Sequence, residues 1–211
     1  NGNQSYFIKN GYNFPKLSAE KQDTVIIGGR FIVRKKIEPA VEFFFKSKFF
    51  DDYSLKIIGD GPEKNNILRK LSECDPKEER WTYNGFMPRD DLQKLFSQSS
   101  WFISLSDYEG TPNMVMEALA QDCSIILSNV ECHRQYFPNN VVNYVEPENY
   151  SVDALYQRTF NSIDVKDLNS SSSARHGMNS QSRRDWRRRR VIDERSKTRK
   201  SREKWKNIYI I

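Results

Sequence analysis

The chain is poor in the residues from which metal centres, disulfide frameworks and nucleophile-base catalysts are built. Its 211 residues include two histidines and three cysteines. His133 and His176 have no cluster of acids or thiols around them, and no Ser-His-Asp or Cys-His arrangement can be argued. His133 reads as a loop residue. Cys74, Cys123 and Cys132 show neither zinc-ligand nor disulfide-framework spacing, and read as reduced cytosolic thiols. No apolar run approaches the roughly 18 residues of a membrane span, and no signal peptide is marked by a basic region followed by an apolar one.

What is present is material for a core, with 37% hydrophobic residues, 13 Phe and 10 Tyr. Charge is unevenly placed. The net charge is +6, yet residues 171 onward hold 14 Lys/Arg against 4 Asp/Glu, leaving 20 basic and 24 acidic residues elsewhere. The stretch opened by Ser170-Ser171-Ser172-Ser173 cannot bury a core. Its Arg187-Arg188-Arg189-Arg190 block would attract nucleic acid or anionic lipid, and a solvated, partly helical extension is the plainer alternative.

Trp101-Phe102-Ile103-Ser104-Leu105 and Ser124-Ile125-Ile126-Leu127-Ser128 are short apolar runs that predict buried strands. Further strands are predicted near 24–29, 54–58 and 81–84, with helices near 39–50, 62–74 and 89–98. The alternation predicts an α/β fold, a Rossmann-like parallel sheet with helices on both faces. Such sheets bind ligands beyond the carboxyl ends of their strands, where strand order reverses.

The loops on that edge carry suggestive residues. Gly28-Gly29-Arg30 follows the first strand, with Lys35 and Lys36 shortly after; Gly59-Asp60-Gly61-Pro62 follows the second and Asn84-Gly85-Phe86 the third. After the fourth comes Ser106-Asp107-Tyr108-Glu109-Gly110, running on through Thr111-Pro112-Asn113-Met114-Val115-Met116 to Glu117-Ala118-Leu119-Ala120. Pro112 fits the first position of a helix, which puts Glu109 just before that helix and Glu117 about two turns into it. The N–H groups and dipole of the helix start favour an anion, so a phosphate would dock between the two acids. On spacing alone, Glu117 is equally an exposed helix residue and Glu109 a cap.

In their order, these loops resemble the C-terminal, donor-binding domain of the retaining GT-B glycosyltransferases of family 4. The shared elements are a Gly-Arg turn followed by lysine, Gly-x-Gly-Pro, Asn-Gly, Ser-x-x-Glu-Gly-x-Pro and an E-x7-E signature ending in Glu-Ala-x-Ala, over roughly residues 22 to 160. Three positions depart from the pattern: Lys36 replaces a glycine, Leu105 a proline, and Asp122-Cys123-Ser124 a Gly-x-Pro.

The resemblance implies one half of a GT-B fold, with an interdomain segment at 1–21, a nucleotide-sugar-binding domain at 22–166 and a polar then basic tail at 167–211. It implies that Arg30 and Lys35, solvent-facing at the sheet edge, clamp the diphosphate of the donor. Glu117 would accept hydrogen bonds from the ribose hydroxyls and Glu109 would orient the sugar. The helix-start N–H groups around Asn113 and Met114 would meet the sugar or distal phosphate, with Gly29, Gly61, Asn84, Gly85, Gly110 and Thr111 completing the pocket. The implied substrate is a UDP- or GDP-sugar, with no cofactor; no Asp-x-Asp triplet marks a metal bridging the diphosphate.

Tyr6-Phe7-Ile8-Lys9-Asn10-Gly11 is similar to the strand and turn that join the two domains of the family. With no initiator Met, the chain reads as a fragment whose acceptor-binding domain, and with it the glycan or lipid-linked acceptor, lies elsewhere. Trp205-Lys206-Asn207-Ile208-Tyr209 resembles the family's last helix. Members with lipid-linked acceptors work at the cytoplasmic membrane face, so the tail is expected to meet an anionic membrane surface, and nucleic acid is not the expected partner. The expectation is a cytoplasmic hexosyltransferase of polysaccharide biosynthesis. A non-catalytic nucleotide- or polyanion-binding module is the alternative, and a nucleotide-sugar epimerase fits less well because epimerases tend to lack Glu-Gly-x-Pro.

Overall fold

The computed structural model describes residues 14–47 and 50–147. The opening 6–11 segment, the domain boundary at 166, the basic tail with its arginine block and the closing 205–209 segment lie outside the described residues. The chain alternates β1 (Gln22–Gly28), α1 (Ile37–Lys46), β2 (Ser54–Ile58), α2 (Lys64–Cys74), β3 (Trp81–Gly85), α3 (Arg89–Gln98), β4 (Ser99–Ser104), α4 (Asn113–Ala120), β5 (Ser124–Ser128), α5 (Glu131–Arg134) and β6 (Asn143–Val145). A single 3-10 turn, Val33–Lys35, leads into α1. Every strand pairing is parallel, in the order β3-β2-β1-β4-β5-β6.

The sheet is covered on both faces, which is why its central strands read as unbroken apolar runs. Val25, Ile27, Leu55, Ile57, Trp101 and Ile103 point to one side and pack with Val41, Phe44, Ile67 and Leu71 of α1 and α2. Ile26, Phe102, Ile125 and Leu127 point to the other and pack with Leu92, Phe96, Val115 and Ala118 of α3 and α4.

Several boundaries differ from the sequence expectation, each for a local reason. The first helix stops at Lys46, where Ser47 turns to an extended conformation at φ −84° and ψ 111°. Phe50, which lengthened the expected helix, fills the core from the following loop, stacked on Phe44 at 5.5 Å and edge-on to Trp101 at 6.0 Å. The fourth helix begins at Asn113, not Pro112; Pro112 is its N-cap, and its carbonyl accepts the Met116 N–H at 3.1 Å. Glu117 therefore stands little more than one turn into α4. The short α5 and β6 were not expected, being too brief to show a period.

Two departures from the family pattern acquire a physical meaning. Lys36 and Asp122, where the pattern has glycine, adopt left-handed backbone at φ 51° and φ 60°. A side chain there costs about 1–2 kcal/mol relative to the right-handed region. Both are charged residues in ion pairs, Lys36 with Asp107 at 3.1 Å and Asp122 with Lys16.

Ahead of β1, Lys21 is a structural tie at the edge opposite the ligand loops. Its Nζ donates to the carbonyls of Phe96, Ser99 and Gln121, each at 2.7 Å. These carbonyls lie at the carboxyl ends of α3 and α4, where a cation is favoured by the helix dipoles. The preceding chain follows α4, with Gln121 bonded to Pro15 and Leu17.

Candidate functional site

Strand order reverses between β1 and β4, because the chain runs outward through β2 and β3 before returning to β4. The loops leaving β1 and β4 therefore diverge from neighbouring strand ends and form a crevice. Three links span it. The Asp107 N–H donates to the Arg34 carbonyl at 2.9 Å, Lys36 pairs with Asp107, and Lys35 Nζ donates to both carboxylate oxygens of Glu109 at 2.5 and 2.6 Å. Ser106 Oγ donates to Glu109 Oε1 at 2.8 Å.

Lys35 thus differs from the expected solvent-facing cation. Its side chain is 20% exposed and that of Glu109 11%. The lysine reaches the crevice because the 3-10 turn carries it back over the sheet edge, and its charge is already matched by a carboxylate. Arg30 does fit the expectation: it is exposed, and its side chain has no partner among the described residues.

The loops after β1, β2 and β3 are laced together through their backbones. Gly29 N–H donates to the Ile58 carbonyl at 3.0 Å, Phe31 N–H to Asp60 at 2.8 Å, Glu63 N–H to Phe31 at 3.0 Å and Gly59 N–H to Gly85 at 2.7 Å. These approaches explain the Gly59-Asp60-Gly61-Pro62 turn without reference to a ligand. A Cβ on Gly59 would lie 1.8 Å from the Gly29 carbonyl oxygen, and one on Gly61 would lie 2.6 Å from the Phe31 carbonyl oxygen. Asn84 and Gly85 end β3, Asn84 being exposed.

The far wall is the loop from β4 into α4. Met114, second residue of the helix, places its Cε 2.9 Å from the position a Gly28 Cβ would take, so the helix start sits over the end of β1. Asn113 is exposed and Thr111 half-buried beside it, and the exposed Gly110 accepts at its carbonyl from Tyr136 Oη at 2.7 Å. Glu117, with a side chain 12% exposed, lies 3.6 Å from Arg89 Nε. Burial pushes its carboxyl above the usual range, and the arginine charge opposes that shift. Arg89 itself stacks over the Phe14 ring at 4.9 Å.

The sequence reading missed the layer behind Glu109. His133 is not a loop residue; it lies fully buried on α5, with Nδ1 3.0 Å from the Ser128 carbonyl. Ser128 Oγ donates to the Ser106 carbonyl at 2.6 Å. The Glu109 N–H donates to Cys132 Sγ at 3.3 Å. The rule that drew attention to the ends of the first four strands would have led to Ser128 at the end of the fifth. Among the described residues, no three His, Cys, Asp or Glu side chains are grouped to hold a metal ion, and no helix is long and apolar enough to cross a membrane.

The sequence model of the glycosyl transferases of group 1 matches residues 9–163. The chain belongs to that family. Its group 1 fold is that of the C-terminal half of a GT-B enzyme. The C-terminal domain of the group 1 protein LpcC from Francisella tularensis superposes with a TM-score of 0.55 at 17% identity, covering 68% of this chain and 77% of that one. TarM superposes with a TM-score of 0.59 at 20% identity over 95% of this chain and 37% of that one. A curated relative, an uncharacterized glycosyltransferase of Haemophilus influenzae, is 27% identical over 116 residues, which are 54% of this chain. The chain spans about a third of that relative, 32% of its length.

Proposed function

We propose that this group 1 domain binds a nucleotide-activated hexose, a UDP- or GDP-sugar, at the β1/β4 crevice and presents it for transfer with retention. The acceptor is a glycan or a lipid-linked glycan of polysaccharide biosynthesis, held by a separate N-terminal domain. The observation that carries this reading is the Lys35–Glu109 pair at the point where strand order reverses. It sets a cation and a carboxylate side by side where a sugar diphosphate needs one of each. Crystal structures of similar fold support UDP as the first nucleotide to try: a Staphylococcus aureus TarM variant is bound to UDP and alpha-GlcNAc-glycerol, and the pneumococcal O-GlcNAc transferase GtfA to UDP and GlcNAc.

Breaking the sugar–phosphate bond builds positive charge on the anomeric carbon and negative charge on the departing diphosphate. Arg30 supplies a planar fork for phosphate oxygens and Lys35 a mobile point charge, both in place before the charge develops. The Met114 N–H at the opening of α4 adds a donor to the same anion, while the Asn113 N–H is turned to the Thr111 carbonyl at 2.9 Å and leaves Asn113 its side chain to offer. Glu117 accepts from the ribose hydroxyls, and Glu109 accepts from the sugar and orients it. Gly29, Gly61, Asn84, Gly85, Gly110 and Thr111 line the approach. The diphosphate is neutralised by these groups without a metal. The domain alone binds donor and transfers nothing, since positioning an acceptor accounts for about 7–11 kcal/mol of such a barrier. It works in the cytoplasm, with the basic tail against the anionic inner face of the membrane.

A thermal-shift panel of UDP-, GDP-, ADP- and TDP-sugars tests the reading. A ligand selective for the native state adds about 2.7 kcal/mol at a hundred times its dissociation constant, a rise of several degrees. A panel in which no nucleotide-sugar moves the melt refutes it.

A further inference from the structure

The α5 turn and the residues just after it hold the Glu109 loop from beneath at two points and touch the end of β5 at a third. Cys132 accepts the Glu109 N–H, Tyr136 donates to the Gly110 carbonyl, and between them on the same turn His133 faces Ser128. A carbonyl can only accept, so the proton of the His133 ring is on Nδ1, directed at the Ser128 carbonyl at 3.0 Å and within 3.2 Å of Ser128 Oγ. Burial holds the ring neutral. Its Nε2 is then a buried acceptor, and among the described residues it has no partner.

Packing gives no reason for that arrangement. A leucine, close to histidine in volume, would orphan no polar atom there, and buried polar atoms are as a rule paired. What the imidazole provides is the Nδ1–H. With it, Ser128 Oγ is left to send its own proton to the Ser106 carbonyl at 2.6 Å. Ser106 in turn sends its hydroxyl proton to Glu109 Oε1 at 2.8 Å. We propose that His133 is a positioning residue which, through Ser128 and Ser106, fixes the Glu109 carboxylate for the donor sugar.

The need for such a brace follows from the other partner of Glu109. Lys35 is a point charge on a flexible four-carbon stem, and a bound diphosphate draws on the same ammonium. Once Lys35 is shared, the Ser106 hydroxyl is the rigid hold that remains. The brace runs from the end of β5 to the loop after β4, two adjacent strands of the sheet, and so moves little when ligand enters.

The inference rests on the reading of Glu109 as the sugar-orienting residue, so Glu109→Gln is measured beside it. The 211-residue chain is titrated calorimetrically with UDP and UDP-glucose, and with GDP and GDP-mannose. His133→Phe should weaken the sugar conjugates about two- to tenfold and leave the plain nucleotides unchanged, as expected for one neutral hydrogen bond. His133→Asn, which keeps a donor near the Nδ1 position, should restore conjugate binding to within about twofold of wild type. Ser128→Ala should reproduce the loss with almost no change of volume, and decides the matter if His133→Phe does not fold. If Glu109→Gln weakens the conjugates selectively while Ser128→Ala and any folded His133→Phe bind them like wild type, the positioning role is wrong and the reading of Glu109 stands. Equal loss of nucleotide and conjugate, or no rescue by asparagine, also overturns it. If Glu109→Gln itself binds the conjugates like wild type, the reading of Glu109 fails first.

Discussion

Replacing Lys35 by methionine separates a role in binding from a role in holding the β1/β4 crevice together. Glu109 accepts three hydrogen bonds, two from Lys35 and one from Ser106, and its side chain is 11% exposed. Lys35→Met keeps most of the stem and removes the ammonium, leaving a nearly buried carboxylate with Ser106 as its one remaining side-chain donor among the described residues. Removing one member of a fully buried ion pair costs about 3–5 kcal/mol, and the residual exposure here lowers that to about 2–4 kcal/mol. For a chain of this size that is a fall in melting temperature of about 4–16 °C. The double variant Lys35→Met/Glu109→Gln removes both charges and should recover most of the loss, whereas Arg30→Ala should melt within about 0.5 kcal/mol of wild type because its side chain is exposed and has no partner among the described residues. Calorimetry on the same three proteins should show weaker nucleoside diphosphate binding in every one, by about 1.5–3 kcal/mol for each cation lost. A Lys35→Met protein that melts like wild type refutes the structural half of the argument; unchanged nucleotide affinity in both Lys35→Met and Arg30→Ala refutes the other half.

Other outcomes follow from the same geometry. Glu117→Gln should weaken UDP, GDP and their conjugates by similar factors, while Glu109→Gln spares the plain nucleotides; identical profiles would show that the roles are not divided as described. Because burial raises the Glu117 carboxyl above 4.5, the native state favours its protonated form, and stability from this group is lost as pH rises through that raised value. Glu117→Gln should therefore melt higher than wild type at pH 7, by a margin that vanishes below pH 4.5. The opposite sign holds for His133, whose ring burial pushes below 6.5: stability falls as pH drops through 6.5 toward that lower value, and His133→Asn should flatten this part of a melting-versus-pH curve. Asp122→Gly should stabilise by about 1 kcal/mol, the relief at φ 60° outweighing one surface ion pair, and an unchanged or lower melting temperature would count against strain at that turn.

The sheet was legible because its central strands are buried on both faces and carry apolar residues without a break; β2 and β5 fall at the residues expected. Boundaries were less legible wherever a side chain acted against its local pattern, as Phe50 does in packing from a loop. The candidate site was legible as far as it is local. Arg30, Lys35, Glu109 and Glu117 stand out because strand ends feed one edge, and Pro112 marks the start of α4 to within a residue. Pairings between loops were not: nothing in the order of residues says that Lys35 reaches Glu109, or that Ser128 and His133 lie beneath Ser106. Gly61 illustrates a further limit, since a glycine expected to face a ligand is already required by the approach of the Phe31 backbone.

The mutual neutralisation of Lys35 and Glu109 bears on how a nucleotide would arrive at the proposed site. Two opposite charges less than 3 Å apart largely cancel at a distance, and the Lys36–Asp107 pair beside them does the same. The two pairs then exert little long-range pull, and the attraction felt by an approaching diphosphate would come chiefly from the exposed cations of the same loop without an ion pair among the described residues, Arg30 and Arg34. Capture of this kind is governed by collision and fit: its rate should vary only weakly with ionic strength, and selectivity arises after water has left, when the ammonium is redistributed between carboxylate and phosphate.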